Sequence, residues 1–241
     1  MSVDIRRSSS RFVEREPGRR TQHGLSFGAH YDPDWLSFGP MVCHDDHLLG
    51  SGRGFDEHPH ADLEIVTFVQ SGALVHTDSL GTAAELGAGE LAVLSAGAGV
   101  RHSEVAAGTG PTRFVQVWLR PDEPGMSPSY RRGSTGAARP GAGLVPVAGD
   151  GTDLPIGVAG ASYAVARLAA NETLTLPAAY RVHAYVASGA LLRSSLAQPL
   201  SAGDAFCFVD EPARDVTAGV PTELLVWSFA ASEPHAQSQG D

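Results

Sequence analysis

Two short segments of this sequence each carry a pair of side chains of the types that bind metal ions. His58 and His60 are separated by one residue, and about 40 residues later His102 and Glu104 have the same spacing. On an extended strand, residues i and i+2 point to the same side, so each pair presents two ligand atoms on one face. If the two segments adjoin, three imidazole nitrogens and one carboxylate oxygen would face one ion. Such a mixed set suits Fe, Mn, Ni, Co, Cu or Zn.

The elements that would position these pairs are predicted to be strands. Runs rich in β-branched and aromatic residues end at glycine-containing turns, and they cover residues 63–69, 73–78, 90–94 and 113–119. No stretch of ten or more residues shows a capped helical period. Short strands at this spacing are typical of an all-β sandwich or barrel.

An internal repeat predicts that there are two such barrels. Residues 69–74 reappear in similar form at 186–191, and residues 86–90 at 200–204, so the two offsets are nearly equal. Duplication explains two matches in the same order better than chance likeness of turns. The fold class expected is therefore all-β, with two barrels in tandem.

Composition suggests where the barrels begin and end. We predict an N-terminal metal-binding barrel over residues 1–125 and a linker rich in proline, glycine and arginine over 126–145. A C-terminal barrel without metal ligands would follow over 146–231, and residues 232–241 would form a flexible tail. Shifting the four candidate ligands by the repeat offsets lands on side chains that do not bind metals: Thr175, Pro177, Val216 and Ala218.

Charge and residue usage exclude several functions. The 241 residues carry a net charge of −10, which argues against direct binding to nucleic acids. The chain has no lysine, so Schiff-base chemistry and a Walker-type phosphate loop are excluded. Cys43 and Cys207 form no metal-binding spacing and are expected to be buried thiols. No apolar run suggests an export signal or a membrane helix, which predicts a cytoplasmic protein without membrane contact.

Several of these segments together resemble the pirin family. The resemblance rests on residues 58–60, 64–69, 76–81 and 95–104, and residues 23–27 and 31–33 are similar to the opening strand of bacterial pirin-like quercetinases. It covers residues 23–130 well. Pirins are bicupins, that is, two cupin barrels of jelly-roll type in tandem, with the metal in the N-terminal barrel. The resemblance implies a single metal held by His58, His60, His102 and Glu104.

A second glutamate near the first motif is not expected to bind the metal. Cupins generally place a glutamate ligand four residues beyond the histidine pair, where this chain has Ile65. Glu64 lies one residue earlier, and a shift of one residue on a strand turns a side chain to the opposite face.

The resemblance also implies an activity. Pirin-like bicupins are associated with quercetin 2,3-dioxygenase activity, which opens a flavonol with O2 and releases carbon monoxide. We therefore expect an oxidoreductase whose substrates are O2 and a small flavonol-like aromatic. Glu104 would act as the catalytic general base on the flavonol hydroxyl. Fe(II) is the preferred metal, with Ni, Co, Cu, Mn and Zn as alternatives.

Other functions remain open at this point. The chain is alternatively a metal- and redox-dependent regulatory protein that binds a protein partner, or a cupin isomerase or dioxygenase with another substrate. Residues 44–47, His-Asp-Asp-His, are either a solvated loop or a second metal site. His76 and Asp78 are expected either at the surface or in support of the ligands. His183 stands alone in the second barrel, which predicts a structural role for that barrel.

Overall fold

The computed structural model describes residues 1–194 and 198–231, and in this part of the chain nearly all regular structure is β-strand. The strands are β1 Ser2–Arg6, β2 Phe12–Glu16, β3 Arg19–His23, β4 Met41–Leu49, β5 Gly54–His60, β6 Glu64–Ser71, β7 Ala73–Asp78, β8 Ala83–Gly87, β9 Glu90–Ser95, β10 Val100–Ala106, β11 Thr112–Leu119, β12 Ser129–Ser134, β13 Val145–Gly149, β14 Ala161–Leu168, β15 Thr173–Leu176, β16 Ala179–Ser188, β17 Ala190–Leu191, β18 Leu200–Ser201, β19 Ala205–Glu211, β20 Arg214–Thr217 and β21 Thr222–Phe229. Single 3₁₀ turns occupy Ser8–Ser10 and Pro33–Trp35. The all-β prediction is confirmed, whereas the predicted tail, residues 232–241, lies outside the described residues.

Three large antiparallel sheets organise these strands. The first half of the chain forms a seven-stranded sheet in the order β12-β9-β6-β11-β4-β3-β2 and a four-stranded sheet in the order β5-β10-β7-β8. A six-stranded sheet, β1-β19-β16-β21-β14-β13, and the small pairs β15-β20 and β17-β18 complete the second half. Among the described residues, no helix has the length and apolar character needed to cross a membrane.

The seven-stranded sheet has a different environment on each face. Side chains alternate along its strands, and one set packs with residues of the six-stranded sheet into a shared core that includes Val66, Val117, Val165, Leu225 and Trp227. The opposite set faces the four-stranded sheet and forms a separate core that includes Val69, Leu74, Leu86 and Phe114. The sheet is thus both one wall of the first barrel and the surface on which the second barrel packs.

The repeated turns are built alike in both halves of the chain. Gly72 and Gly189 have φ angles of +77° and +82°, which place both in the left-handed region. After the first, the Thr112 hydroxyl donates to the Ala73 carbonyl at 2.8 Å. After the second, Thr222 donates to Ala190 at 3.0 Å. This common threonine contact supports the predicted internal duplication.

Two strand pairings cross the predicted domain boundaries. β1 pairs with β19 in the six-stranded sheet, although the start of the chain was assigned to the first barrel. β12 pairs with β9 of the seven-stranded sheet, although residues 129–134 were assigned to an irregular linker. Both are edge strands, and edge strands carry polar and charged residues that give little hydrophobic signal in the sequence. Apart from these two corrections, the division into domains stays a prediction.

The Gly72 turn can be tested by adding a single methyl group. A Cβ at Gly72 would lie 2.7 Å from the Pro111 carbonyl oxygen and 2.6 Å from Thr112 Oγ1. Gly108 has a similar φ of +73° but nothing within 4 Å of such a Cβ. We expect Gly108→Ala to lower the free energy of unfolding by about 1 kcal/mol from backbone strain, and Gly72→Ala by more than about 2 kcal/mol. Urea denaturation measures both, and equal losses would contradict the proposed close contact.

Candidate metal centre

Three imidazoles converge where β5 and β10 pair. His58 lies directly opposite His102 in the register of these antiparallel strands, and His60 follows two residues further along β5. The ring centroids of His58 lie 4.8 Å from His60 and 4.5 Å from His102, and those of His60 and His102 are 5.0 Å apart. One ligand nitrogen from each ring lies within 4.8 Å of the others. The three nitrogens are therefore close enough together to share one ion.

The hydrogen bonds of these rings leave nitrogen lone pairs free for a metal. His58 Nδ1 lies 2.7 Å from the Asp56 carbonyl oxygen, and because a carbonyl only accepts, Nδ1 carries the proton. In the neutral ring, Nε2 of His58 then keeps its lone pair, as metal-binding histidines require. Nε2 of His60 and both ring nitrogens of His102 are buried without a hydrogen-bond partner. The residues present fit a transition metal by this test.

The charge state of the rings suits the same role. Burial, reinforced by the neighbouring His58, lowers the pKa of His60 to about 4. Burial and the surrounding histidines lower the pKa of His102 to about 3. Both rings are therefore neutral near pH 7, and a metal would not have to displace a proton from either of them.

A bulge in β5, which contributes one extra residue between Phe55 and His58, determines which residue of that strand faces Glu104. In the pairing with β5 the register shifts between His102 and Glu104, so Glu104 lies opposite Phe55. On its other side β10 pairs with β7, where Glu104 lies opposite His76. The carboxylate is buried, with 3% of the residue exposed, and it forms a second group of potential ligand atoms with His102 and His76. His102 thus belongs to both groups of three.

Neighbouring strands hold the Glu104 carboxylate in place. Gln116 Nε2 donates to its two oxygens at 3.0 and 2.7 Å, and the Thr67 hydroxyl donates to Oε1 at 3.2 Å. Trp118 Nε1 donates to Gln116 Oε1 at 2.9 Å, which directs the amide nitrogen of Gln116 toward the carboxylate. Burial raises the pKa of Glu104, although the hydrogen bond from Gln116 opposes this. Gln116 and Thr67 were missed in the sequence, where their only signal is a polar residue within an apolar strand.

His76 and Asp78 support this site and are not at the surface. His76 Nε2 lies 2.9 Å from Asp78 Oδ2, and both side chains are buried. The His76 ring stacks on Tyr130, with centroids 4.2 Å apart and planes inclined by 17°. The surface alternative for this pair is therefore wrong. Its side chains instead form the wall beside His102 and Glu104.

Residues 44–47 do not form a solvated loop. They lie within β4 and are at most 5% exposed, so that expectation is wrong. The Asp45 carboxylate lies 3.0 Å from His23 Nδ1, and His47 Nδ1 lies 2.8 Å from the Thr21 hydroxyl. These polar side chains can be buried because the neighbouring strand β3 supplies a hydrogen-bond partner for each.

The other two residues of this segment point to the opposite face of the sheet. Asp46 accepts hydrogen bonds from Arg113 Nε at 2.9 Å and from the Tyr185 hydroxyl. The His44 ring lies between the two halves of the chain, 4.6 Å from that of His183 and 4.8 Å from that of Tyr185. Strand alternation therefore divides this segment between two environments, and it does not assemble a second metal site.

A cavity of about 370 Å³ opens beside the imidazoles. Its lining includes His58, Glu104 and Gln116 near the metal centre and, further along, His23, Asp45 and Glu14. Aromatic side chains form part of its wall, namely Phe27, Phe55 and Trp118. The cavity is large enough for a small planar aromatic molecule to lie next to a bound metal.

Gln116 is expected to control metal affinity through Glu104. Gln116→Leu has nearly the same size but removes the amide that orients the carboxylate. We expect metal affinity to fall about 10- to 100-fold, the usual effect of losing a group that orients a ligand. Competition with a chelator measures this, with Gln70→Leu as the matched control because Gln70 bonds to the Ala187 carbonyl instead. Unchanged affinity in Gln116→Leu would show that the carboxylate needs no such support.

Acid stability is expected to depend on His183. Burial, with the nearby Arg11, lowers the pKa of His183 to about 3. Below pH 6.5 the unfolded chain protonates this ring while the folded chain does not, so stability falls as the pH falls toward 3. The slope is about 1.4 kcal/mol per pH unit for one proton. In urea denaturation of metal-free protein between pH 6 and 4.5, His183→Leu should show a slope lower by about that amount. Parallel curves would contradict this pKa.

Comparison with known proteins agrees with the fold. The sequence profile of the pirin family matches residues 5–119. A Mycobacterium tuberculosis H37Rv protein with a provisional quercetin 2,3-dioxygenase name is 39% identical over 235 residues, 95% of this chain and 96% of that protein. The Escherichia coli K12 protein named quercetin 2,3-dioxygenase is 39% identical over 111 residues, 46% of this chain and 48% of that protein.

Solved structures show the same likeness in the fold. YhhW from Escherichia coli superposes with a TM-score of 0.88 at 28% identity, covering 97% of this chain and 100% of that one. The nickel(II) complex of this bacterial pirin gives a TM-score of 0.86 at 28% identity, with 96% and 100% coverage. The bicupin jelly-roll prediction is confirmed, and the nickel complex together with the imidazole cluster supports a single metal. By sequence and by structure, this chain belongs to the pirin family.

Proposed function

We propose that this protein is a metal-dependent dioxygenase of pirin type that opens flavonol-like substrates, such as quercetin, with O2. The observation that carries the proposal is the aromatic-walled cavity that is bounded by His58 and Glu104 at one end. The quercetin 2,3-dioxygenase names of the relatives support the same reaction class.

We assign His58, His60, His102 and Glu104 as the ligands of one divalent metal. Three imidazoles and one carboxylate suit a first-row transition metal. When bound, the metal would act as a Lewis acid that lowers the pKa of a coordinated substrate hydroxyl. Iron(II) is the metal we propose, and nickel is the first alternative because a bacterial pirin was crystallised with it. Cobalt, copper, manganese and zinc suit the same ligands.

Glu104 would take up the substrate's hydroxyl proton in this proposal. Its buried carboxylate has a raised pKa, so it is a stronger base than a solvated glutamate. The carboxylate lines the cavity, where a substrate hydroxyl can approach it. After protonation, the Gln116 amide still has a carbonyl oxygen of Glu104 as its acceptor. The amide therefore keeps the acid in place until the proton is returned.

The cavity wall is suited to a flat ring system. Trp118 makes edge contacts with His60 on one side and with Phe27 on the other. The ring centroids are 4.8 and 5.4 Å apart, respectively. The ring centroid of Phe55 lies 6.4 Å from that of His58. Aromatic side chains at this spacing exclude water and offer stacking surfaces beside the imidazoles.

The open cavity favours an enzyme over a protein that acts only by binding a partner. A regulatory pirin would not need space for a planar molecule next to Glu104. The protein partner, the isomerase alternative and the cytoplasmic location stay predictions, because no contact in the structure bears on them.

Anaerobic titration with quercetin tests the proposed function. Metal-loaded protein should shift the flavonol absorption spectrum to longer wavelength and saturate near one flavonol per chain, because the bound hydroxyl is deprotonated. Admitting O2 should then bleach the spectrum with release of carbon monoxide. Glu104→Gln should slow turnover by at least about 100-fold, the usual contribution of a general base.

The matched control is Glu90→Gln, since Glu90 on β9 accepts a hydrogen bond from the Gly87 amide and does not line the cavity. Metal content is measured for every variant, so that loss of the ion is separated from loss of the base. No spectral shift with the metal-loaded wild-type protein would overturn the proposed function.

A further inference from the structure

A row of polar side chains crosses the cavity face of the seven-stranded sheet. Thr67, Gln116, Asp45 and His23 lie directly opposite one another in register on β6, β11, β4 and β3. Directly opposed residues of neighbouring strands point to the same side, and strands lie about 4.8 Å apart, so His23 is about 14 Å from Thr67 along the row. Thr67 and Gln116 bind Glu104. The row therefore runs from the metal centre to a second polar position at the other end.

His23 is the residue at that far end, and one of its nitrogens makes no hydrogen bond. Nδ1 lies 3.0 Å from Asp45 Oδ2, which leaves Nε2 as the free position on the ring. Nε2 is buried without a hydrogen bond, although Glu14 Oε2 lies 3.5 Å away, and the residue is only 2% exposed. His23, Asp45 and Glu14 all line the cavity. A buried polar atom in a cavity wall is normally satisfied by solvent or by a ligand.

Neighbouring aromatic contacts fix the orientation of this ring. Phe27 stacks on His23, with centroids 5.4 Å apart and planes inclined by 10°. The same Phe27 ring touches Trp118 edge-on, and Trp118 in turn holds Gln116. One continuous aromatic surface therefore joins the two polar ends of the cavity. A ring system lying along it would reach both ends.

We propose that His23 and Asp45, with Glu14 beside them, form a second polar subsite that binds a hydroxyl group at the end of the aromatic substrate remote from the metal. This subsite rests on the proposed function, because it takes the far end of the same substrate. A hydroxyl both donates and accepts, so it matches an imidazole nitrogen next to a carboxylate. Burial lowers the pKa of His23, but the Asp45 and Glu14 carboxylates outweigh it and the pKa is raised, which strengthens its hydrogen bonds.

The consequence is selectivity for substrates that are hydroxylated at both ends. A site built to hydrogen-bond a hydroxyl disfavours an analogue without one, because its own polar groups are left unpaired. Glu14 is partly exposed, with 42% of its side chain accessible, so water relieves part of this penalty. We therefore expect a preference of about tenfold, below that of a fully enclosed site.

Two flavonols that differ only in the outer ring test the subsite. Quercetin carries two hydroxyls on that ring, whereas galangin has the same fused rings and none. Dissociation constants are measured anaerobically by absorption titration of the metal-loaded, full-length protein. The wild-type protein should bind quercetin about tenfold more tightly than galangin. His23→Phe keeps an aromatic ring without its nitrogens, and should bring this ratio near one while leaving galangin binding unchanged.

Further variants separate the subsite from folding defects. His23→Phe leaves Asp45 buried without its partner, so the same ratio is measured in His23→Phe/Asp45→Asn, and thermal unfolding is recorded for both. His23→Gln restores a hydrogen-bonding group and should recover part of the preference. His30→Phe is the matched control, since its ring lies 5.5 Å from His23 and is not part of the cavity lining.

Each result decides between the subsite and the activity. A tenfold ratio that persists in both His23→Phe proteins would overturn the subsite and leave the proposed function standing. Equal affinity of the wild-type protein for quercetin and galangin would likewise overturn the subsite and leave the proposed function standing. If the metal-loaded wild-type protein binds neither flavonol, the proposed function and the subsite both fail.

Discussion

The burial of one carboxylate, that of Glu104, is the interaction on which the rest of the site depends. A buried charge is costly unless donors replace the lost water, and here Gln116 and Thr67 do so from two neighbouring strands. β10 keeps a regular register with β7, so Glu104 lies on the same face of the strand as His102, where these donors meet its carboxylate. His102 lies opposite His58 on β5, with which it forms the imidazole cluster. The register of the strands, more than any single contact, therefore determines which side chains meet at this site.

The two faces of the seven-stranded sheet explain why the chain has a second barrel. The face toward the imidazole cluster carries the polar row and lines a cavity, beside a smaller apolar core. The opposite face presents Val66 and Val117 to the six-stranded sheet, and the two sheets share an apolar core there. In the second barrel, Val216 and Ala218 occupy positions that correspond to His102 and Glu104, and both pack in its interior core. At these corresponding positions the second barrel therefore has apolar core residues, whereas the first barrel has candidate metal ligands.

Local spacing in the sequence predicted the fold class and the imidazole cluster, because i and i+2 on a strand must share a face. The rest of the site depends on pairing between strands that are far apart in the sequence, which local spacing does not predict. Gln116, Thr67 and His23 act only through strands that are distant in sequence, and their residue types are unremarkable within an apolar run. Composition predicts a solvated segment at residues 44–47, yet β3 and β11 supply buried partners for Asp45, Asp46 and His47. β1 and β12 were missed because edge strands need only one neighbour and carry polar side chains.

The most direct test of the assignment of His58, His60, His102 and Glu104 as ligands is the position of the ion itself. Crystals of metal-loaded protein, with anomalous diffraction recorded at the absorption edge of the metal, would locate it. The assignment predicts one peak about 2.1 Å from a nitrogen of each of His58, His60 and His102, with a Glu104 oxygen at similar distance. A peak held instead by His76, His102 and Glu104, leaving His58 and His60 unbound, would contradict it.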